Sequence, residues 1–270
     1  MRMINILKSV AVLFLLIGIS SCDKNNDLVL FGIQNDIELG AQVDAQIESD
    51  TSFTILSRTA YPEAYAYLED MKESILNSGE VSYKDEFAWE LHIIHDDVLN
   101  AFATPGGYIY IYTGLIKYLE NADDLAGVLG HEIAHSDQRH SSKQLQRQYG
   151  IQLLLNIALG KDASQLAQVA GQIAGQGALL KFGRDAETEA DEFSVRYLAK
   201  TDYACNGAAS FFQKLEEQGQ GSDGPAFLST HPPSDTRVEE INAKADELGC
   251  STTAVSESGF TYEDFKNSLP

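Results

Sequence analysis

The sequence predicts an α+β fold, mostly helical, with a small antiparallel sheet and one active-site helix. Three observations lead there. β-Branched and aromatic runs are confined to about 89–112, where turn residues break them into short pieces. From Leu115 to Leu248 apolar residues recur at three- and four-residue spacing, the period of helices laid on a core. Within that helical stretch, His131 and His135 stand four residues apart, one turn from each other on a single face.

The chain has 270 residues, 44% of them hydrophobic, which allows one large packed domain and excludes disorder throughout. Its 40 acidic side chains against 19 basic ones, a net charge of −21, exclude a phosphate-tracking surface. No nucleic-acid partner is expected.

Met1, Arg2 and Lys8 precede an apolar run from Val10 to Ile19 broken only by Gly18. This is a charged region and an apolar region of secretory length, too short for a membrane span. The run ends in Ile19-Ser20-Ser21-Cys22, which resembles a bacterial lipobox. Residues 1–21 therefore read as a lipoprotein signal peptide, with Cys22 the lipidated residue. Cleavage removes Arg2 and Lys8, so the membrane would be held by acyl chains and not by charge. The expected location is the bacterial cell envelope, on the outer membrane or the periplasmic side. With Cys22 set aside, Cys205 and Cys250 are left to form a possible disulfide in an oxidising compartment.

Residues 22–57 read as a tether and N-terminal segment in which Ile33 to Gly40 begins a helix. The domain proper is expected over 58–250. Tyr61 to Leu76 is a helix with Pro62 suited to its first turn. Strands follow at 89–95, 98–103 and 108–112, split by Asp96-Asp97 and by Pro105-Gly106-Gly107. Helices are expected at 115–120, 123–138, 142–160, 163–180, 185–200 and 206–218. Gly219 to Pro233 is a long loop, 234–248 a last helix, and 251–270 a loosely held C-terminal tail.

His131-Glu132-Ile133-Ala134-His135 places two imidazoles on one helix face with a carboxylate beside them, the spacing of zinc metallopeptidases. A catalytic zinc needs a third protein ligand. Glu187 in Glu187-Thr188-Glu189-Ala190-Asp191 is the candidate. Asp191, one turn later, can hold the free ring nitrogen of a ligand histidine. Glu189 is rotated away from that face and is the weaker choice. His92, His95 and His140 read as structural or surface residues.

Taken together, Asn100 to Tyr110, Thr113-Gly114-Leu115, His131 to His135, Glu187 to Asp191 and His231-Pro232-Pro233-Ser234-Asp235-Thr236-Arg237 resemble the gluzincin metallopeptidases that include HtpX, the CAAX prenyl protease and the periplasmic BepA and LoiP types. The soluble or lipid-anchored branch is the closer match. The resemblance covers about Tyr61 to Leu248. It implies a zincin-like endopeptidase domain holding one zinc ion per chain through His131, His135 and Glu187, with Glu132 as general base.

His231, on a proline-flanked loop, would stabilise charge on the carbonyl oxygen, or, as in BepA-like relatives, approach the metal and hold the enzyme inactive. Arg237 would brace that loop against a carboxylate. Gly107, Tyr108, Ile109 and Tyr110 are expected to form an exposed edge that pairs with an extended substrate. The implied function is zinc-dependent hydrolysis of unfolded or misassembled envelope polypeptides, with envelope assembly machinery as a possible partner. The reading of another class is a non-catalytic chaperone or assembly factor using the same cleft. Hydrolysis of a non-peptide substrate is less consistent with the Gly-Gly-Tyr strand.

Overall fold

The computed structural model describes residues 21–22, 28–29, 31–174, 180–217, 226–232 and 236–270. The signal peptide expected over 1–21 lies outside the described residues apart from Ser21, as do the end of the helix expected to 180 and part of the loop at 219–233. Two-residue strands β1 (Ser21–Cys22) and β2 (Leu28–Val29) pair antiparallel.

The centre of the fold is a three-stranded sheet of β3 (Glu90–Ile94), β4 (Ala101–Thr104) and β5 (Tyr108–Tyr112), in the order β3-β5-β4. Its β4–β5 hairpin is antiparallel, as expected, with Phe102 opposite Tyr110. β3 instead runs parallel to β5, with His92 opposite Tyr110, so the sheet is mixed. The reason lies in the connection. Residues 95–100 do not close a tight turn between neighbours; they carry the chain past β5 to its far side. β3's other flank is covered by a bridge between Ile55 and Ile94 and by the Leu56 amide donating to the Ile93 carbonyl at 2.8 Å.

Side chains alternate across this sheet with the period of two that a pleated strand imposes. Leu91, Ile93, Ala101, Ala103, Ile109 and Ile111 enter one apolar cluster; Phe102, Tyr108, Tyr110 and Tyr112 enter a second on the opposite face. Tyr110 stacks between Phe102 and His92, with centroids 4.6 and 4.9 Å away. His92 is accordingly a buried structural side chain, as expected of it.

The second cluster is closed by α1 (Ile33–Ser49), whose Leu39, Val43 and Ile47 are buried. The packed domain thus begins well ahead of residue 58, because this helix covers a whole sheet face. The first cluster is closed by α2 (Pro62–Leu76) and by the first helices after the sheet, α3 (Thr113–Tyr118) and α4 (Ala122–Asp137), whereas α5 (His140–Tyr149), α6 (Ile151–Ala158) and α7 (Ala163–Ala174) turn back toward α1 and join the second cluster. The single helix expected over 142–160 is broken at Gly150, whose φ of +73° ends α5 and starts α6.

α8 (Arg184–Leu198), α9 (Ala208–Glu217), the short α10 (Ala226–Thr230) and α11 (Arg237–Leu248) complete the layer that holds the site. Cys205 and Cys250 form a disulfide with Cα atoms 6.2 Å apart.

The C-terminal stretch is not a loose tail. α12 (Tyr262–Ser268) starts with a capping box between Thr261 and Asp264, and its Phe265 stacks on Tyr67 of α2 at 4.8 Å. Tyr262 donates to the Ile116 carbonyl at 2.6 Å. Three aromatic side chains within six residues, Phe260, Tyr262 and Phe265, gain more from burial than a solvated tail would keep in chain entropy. Among the described residues no helix is long and apolar enough to cross a membrane.

Candidate metal centre

Every residue of α4 from Ala122 to Asp137 is buried, so this helix is a core element on all sides. Asn121 caps it by accepting the Asp124 amide at 2.9 Å. Asp123 and Asp124 point into neighbouring loops: Asp123 accepts the Ala204 amide at 2.7 Å, and Asp124 accepts the Glu120 amide at 3.0 Å. α8 lies tightly along α4 because glycine permits it. A Cβ at Gly130 would stand 2.7 Å from Ser194 Oγ, and that hydroxyl donates to the Gly127 carbonyl at 2.9 Å. This close approach carries Glu187 and Asp191 to the two histidines.

His131, His135, Glu187 and His231 each present one donor atom, and these atoms all lie within 4.8 Å of one another. The Nε2 atoms of His131 and His135 are 2.9 Å apart; Glu187 oxygens stand 3.5 and 3.4 Å from them; His231 Nδ1 is 3.1 Å from Glu187 Oε1. Glu132 is wholly buried next to this cluster. Neither of its carboxylate oxygens has a hydrogen-bond partner among the described residues, and the same holds for His231 Nε2.

Orphaned polar atoms at that depth are costly unless an ion or a bound molecule satisfies them. Imidazoles with a carboxylate are a zinc donor set, and a single zinc ion fits these residues. The profile of peptidase family M48 matches residues 62–245. The chain belongs to peptidase family M48. It is 30% identical over 227 residues to the mitochondrial metalloendopeptidase OMA1 of Schizosaccharomyces pombe, covering 83% of this chain and 64% of that protein. It is 30% identical over 198 residues to the metalloprotease YcaL of Escherichia coli, covering 72% and 74%. The β-barrel assembly-enhancing protease of the same organism is 29% identical over 167 residues, 58% of this chain and 34% of that protein. The chain therefore spans less than two thirds of the length of several of these relatives.

In this M48 chain the first histidine is oriented from both sides of Asp191. His131 Nδ1 donates to Asp191 Oδ1 at 2.8 Å, and Arg237 donates to both Asp191 oxygens at 2.7 and 2.8 Å. Arg237 also stands 3.1 Å from Glu187 Oε2 and lies over the Phe212 ring at 3.6 Å, so one guanidinium ties both carboxylates of α8 to α11.

His135 is oriented by His140, read from sequence as structural or surface, and by Glu189, read there as the weaker choice of ligand. Its Nδ1 lies 3.0 Å from His140 Nδ1, and His140 Nε2 lies 3.0 Å from Glu189 Oε2. With Glu189 accepting the Nε2 proton of His140, His140 Nδ1 accepts from His135, which frees His135 Nε2 for a metal. Glu189 does point away from Glu187, as its helical position requires, but it points at His140. No linear pattern signals this. Arg139 takes a left-handed φ of 61° and folds α5 back under α4, which brings His140 into place.

Asn100, which opens the first of the motifs but has no role read from sequence, is a further residue near the sheet edge. It is wholly buried at the start of β4, and neither amide atom of its side chain has a partner among the described residues. Phe182 stacks on His135 at 3.9 Å.

The electrostatics follow from this packing. His131 is pushed up to about 9: burial lowers it, but the Asp191 and Glu187 carboxylates outweigh burial. His135 is held well below the ordinary range by burial and by the adjacent His131. Glu132 is raised, chiefly by burial. For Glu187 burial opposes ionisation, yet the His231 and Arg237 side chains prevail and keep it ionised.

The expected substrate edge is corrected by the sheet order. Tyr108, Ile109 and Tyr110 belong to the central strand, paired on both sides, and the Gly107 carbonyl is taken by the Glu90 amide at 3.0 Å. The outer edge nearest the metal residues is that of β4. There Ser136 and Ser141 hydroxyls bond the Thr104 and Ala103 carbonyls, and the Phe227 amide donates to Leu99 at 2.9 Å.

Proposed function

We propose that this chain is a zinc-dependent endopeptidase of the bacterial cell envelope, anchored through lipid on Cys22, that hydrolyses unfolded or misassembled polypeptides. The observation that supports it most strongly is Glu132, a buried carboxylate that makes no hydrogen bond among the described residues and is held beside two histidines and Glu187. A non-catalytic binder has no use for that group.

His131, His135 and Glu187 would hold the ion. Zinc bound there supplies a Lewis-acidic charge that activates water and polarises a carbonyl. Glu132, with its proton affinity raised by burial, takes a proton from the attacking water and returns it to the leaving amine nitrogen. The outer strand β4, part of whose carbonyls Ser136 and Ser141 already take, and the Asn100 amide would offer the remaining donors and acceptors to a substrate backbone. The mostly main-chain character of such contacts suits loosely folded polypeptides, and the relatives named for β-barrel assembly suggest an envelope setting.

His231 has its Nδ1 among the donor atoms and its Nε2 3.4 Å from Glu132. A side chain so placed would compete with the attacking water for the ion and for Glu132, so we assign it here the inhibitory role rather than a catalytic one.

The test uses purified protein lacking residues 1–22. It should bind about one zinc ion per chain and cleave casein. Glu132→Gln should lower turnover at least about a hundredfold while retaining the metal, and His231→Ala should raise it. Undiminished cleavage by Glu132→Gln would refute the mechanism, and loss of activity in His231→Ala would restore a catalytic role for that histidine.

A further inference from the structure

The face of the sheet that α1 covers holds a second group of titratable side chains, which the proposed reaction does not use. Asp44 and Glu48 stand one turn apart on α1, and Glu90 and His92 stand two residues apart on β3, on one face of the strand. Docking α1 on the sheet brings the two pairs together. One donor atom each from Asp44, Glu90 and His92 lies within 4.8 Å of the other two, and Glu48 Oε1 is 3.9 Å from His92 Nδ1.

Packing accounts for the ring of His92 but not for its nitrogen. The side chain is 4% exposed and stacked on Tyr110, yet Nε2 makes no hydrogen bond among the described residues. Asp44 Oδ1 stands 2.9 Å from that nitrogen, so the two atoms are close without being aligned as donor and acceptor. Two ligands of one ion are placed in this way: each bonds to it at about 2.1 Å and at about a right angle to the other, so they stand about 3 Å apart and neither points at its neighbour. Tyr110 meanwhile donates to Asp44 Oδ1 at 2.5 Å and fixes the carboxylate, as an outer hydrogen bond does behind a metal ligand.

Charge points the same way. Asp44 is buried, Glu90 part-buried and Glu48 exposed, and among the described residues no lysine or arginine pairs with any of the three. Their field reaches β5, where the Tyr108 and Tyr110 hydroxyls are pushed up by burial and then by these carboxylates. A protonated imidazole would answer one of the three charges; a divalent ion answers two and leaves His92 neutral as a ligand.

We propose that Asp44, Glu90 and His92, joined by Glu48 at the rim, form a second metal site, for a divalent ion that takes oxygen ligands together with one imidazole, Mn2+ above all. The imidazole favours Mn2+ over Ca2+ and Mg2+, and the excess of carboxylate leaves zinc to the centre of His131 and His135. The exposed side of Glu48 gives the ion an entry path and room for waters. Bound there, it ties α1 to β3 and stabilises the fold without touching the reaction.

The experiment starts from protein carrying about one zinc ion per chain, freed of excess zinc. Mn2+ is titrated in, with electron paramagnetic resonance counting the free aqueous ion. About one Mn2+ per chain should bind with the zinc retained, as elemental analysis checks, and saturating Mn2+ should raise the unfolding temperature by several degrees. His92→Gln and Glu90→Gln should each weaken Mn2+ binding at least about tenfold, no less than the loss of an outer partner costs a metal site, and leave the zinc content unchanged.

Absence of Mn2+ binding, uptake matched by release of zinc, or binding that either variant keeps at full strength overturns the site and reduces His92 to packing. Should His92→Gln fail to fold, Glu90→Gln at its part-buried position decides the matter: weakened binding supports the site and unchanged affinity refutes it. Casein turnover is no part of the readout, so the result holds whatever the fate of the peptidase reading.

Discussion

At the residue scale the two ligand histidines are held differently. His131 donates to a carboxylate that Arg237 also grips, whereas His135 depends on His140, a neutral relay to Glu189. Removing the relay leaves the first pair intact, so His140→Ala and Glu189→Gln should each weaken zinc binding about 10- to 100-fold without changing helix content. Competition with a chelator, read beside far-UV circular dichroism, checks this; unchanged affinity would mean that the relay is only packing. The raised pKa of His131, about 9, makes a second prediction. Below that pH the metal-free ring carries a proton on the nitrogen that faces the site, and zinc must displace it. Zinc affinity should therefore rise with pH up to about 9 and level off above it. At pH 7 calorimetry in buffers of different ionisation enthalpy should find about one proton released per zinc bound.

At the element scale, α4 is buried on every side, and its contacts are set by glycine. A Cβ on Gly127 would stand 2.1 Å from the Ala208 backbone nitrogen, at the start of α9. Backbone cannot yield as a side-chain tip can, so Gly127→Ala should destabilise the fold by about 1–3 kcal/mol, measured by thermal or urea unfolding. A loss within experimental error would show that α9 shifts freely. Helices and strands were legible in the sequence wherever a period ran uninterrupted, as in Pro62–Leu76 and Tyr108–Tyr112. The break at Gly150 was not, because helical spacing continues on both sides of it. Strand direction was not legible either, since three short apolar runs pair equally well in several orders until the layers on each face are in place.

At the scale of the molecule, a sheet with an apolar cluster on each face carries the site on one side and α1 on the other. The Cys205–Cys250 disulfide closes a stretch of 45 residues that includes α9, α10 and α11, the elements supplying Phe227, His231 and Arg237. Replacing both cysteines by serine should cost about 2–4 kcal/mol in urea unfolding, and the metal cluster should loosen with it. An unchanged midpoint would leave the bond without a stabilising role. By itself the sequence determined that two histidines share one helix face with a glutamate beside them, and that Glu187 and Asp191 share another, because these relations depend only on the helical period. Only the tertiary structure decided that β4, not β5, is an outer strand of the sheet, that His140 and Glu189 stand behind His135, and that His231 enters the donor cluster. Those relations join residues from 5 to 100 positions apart, and they arise from packing between layers, which no local spacing encodes.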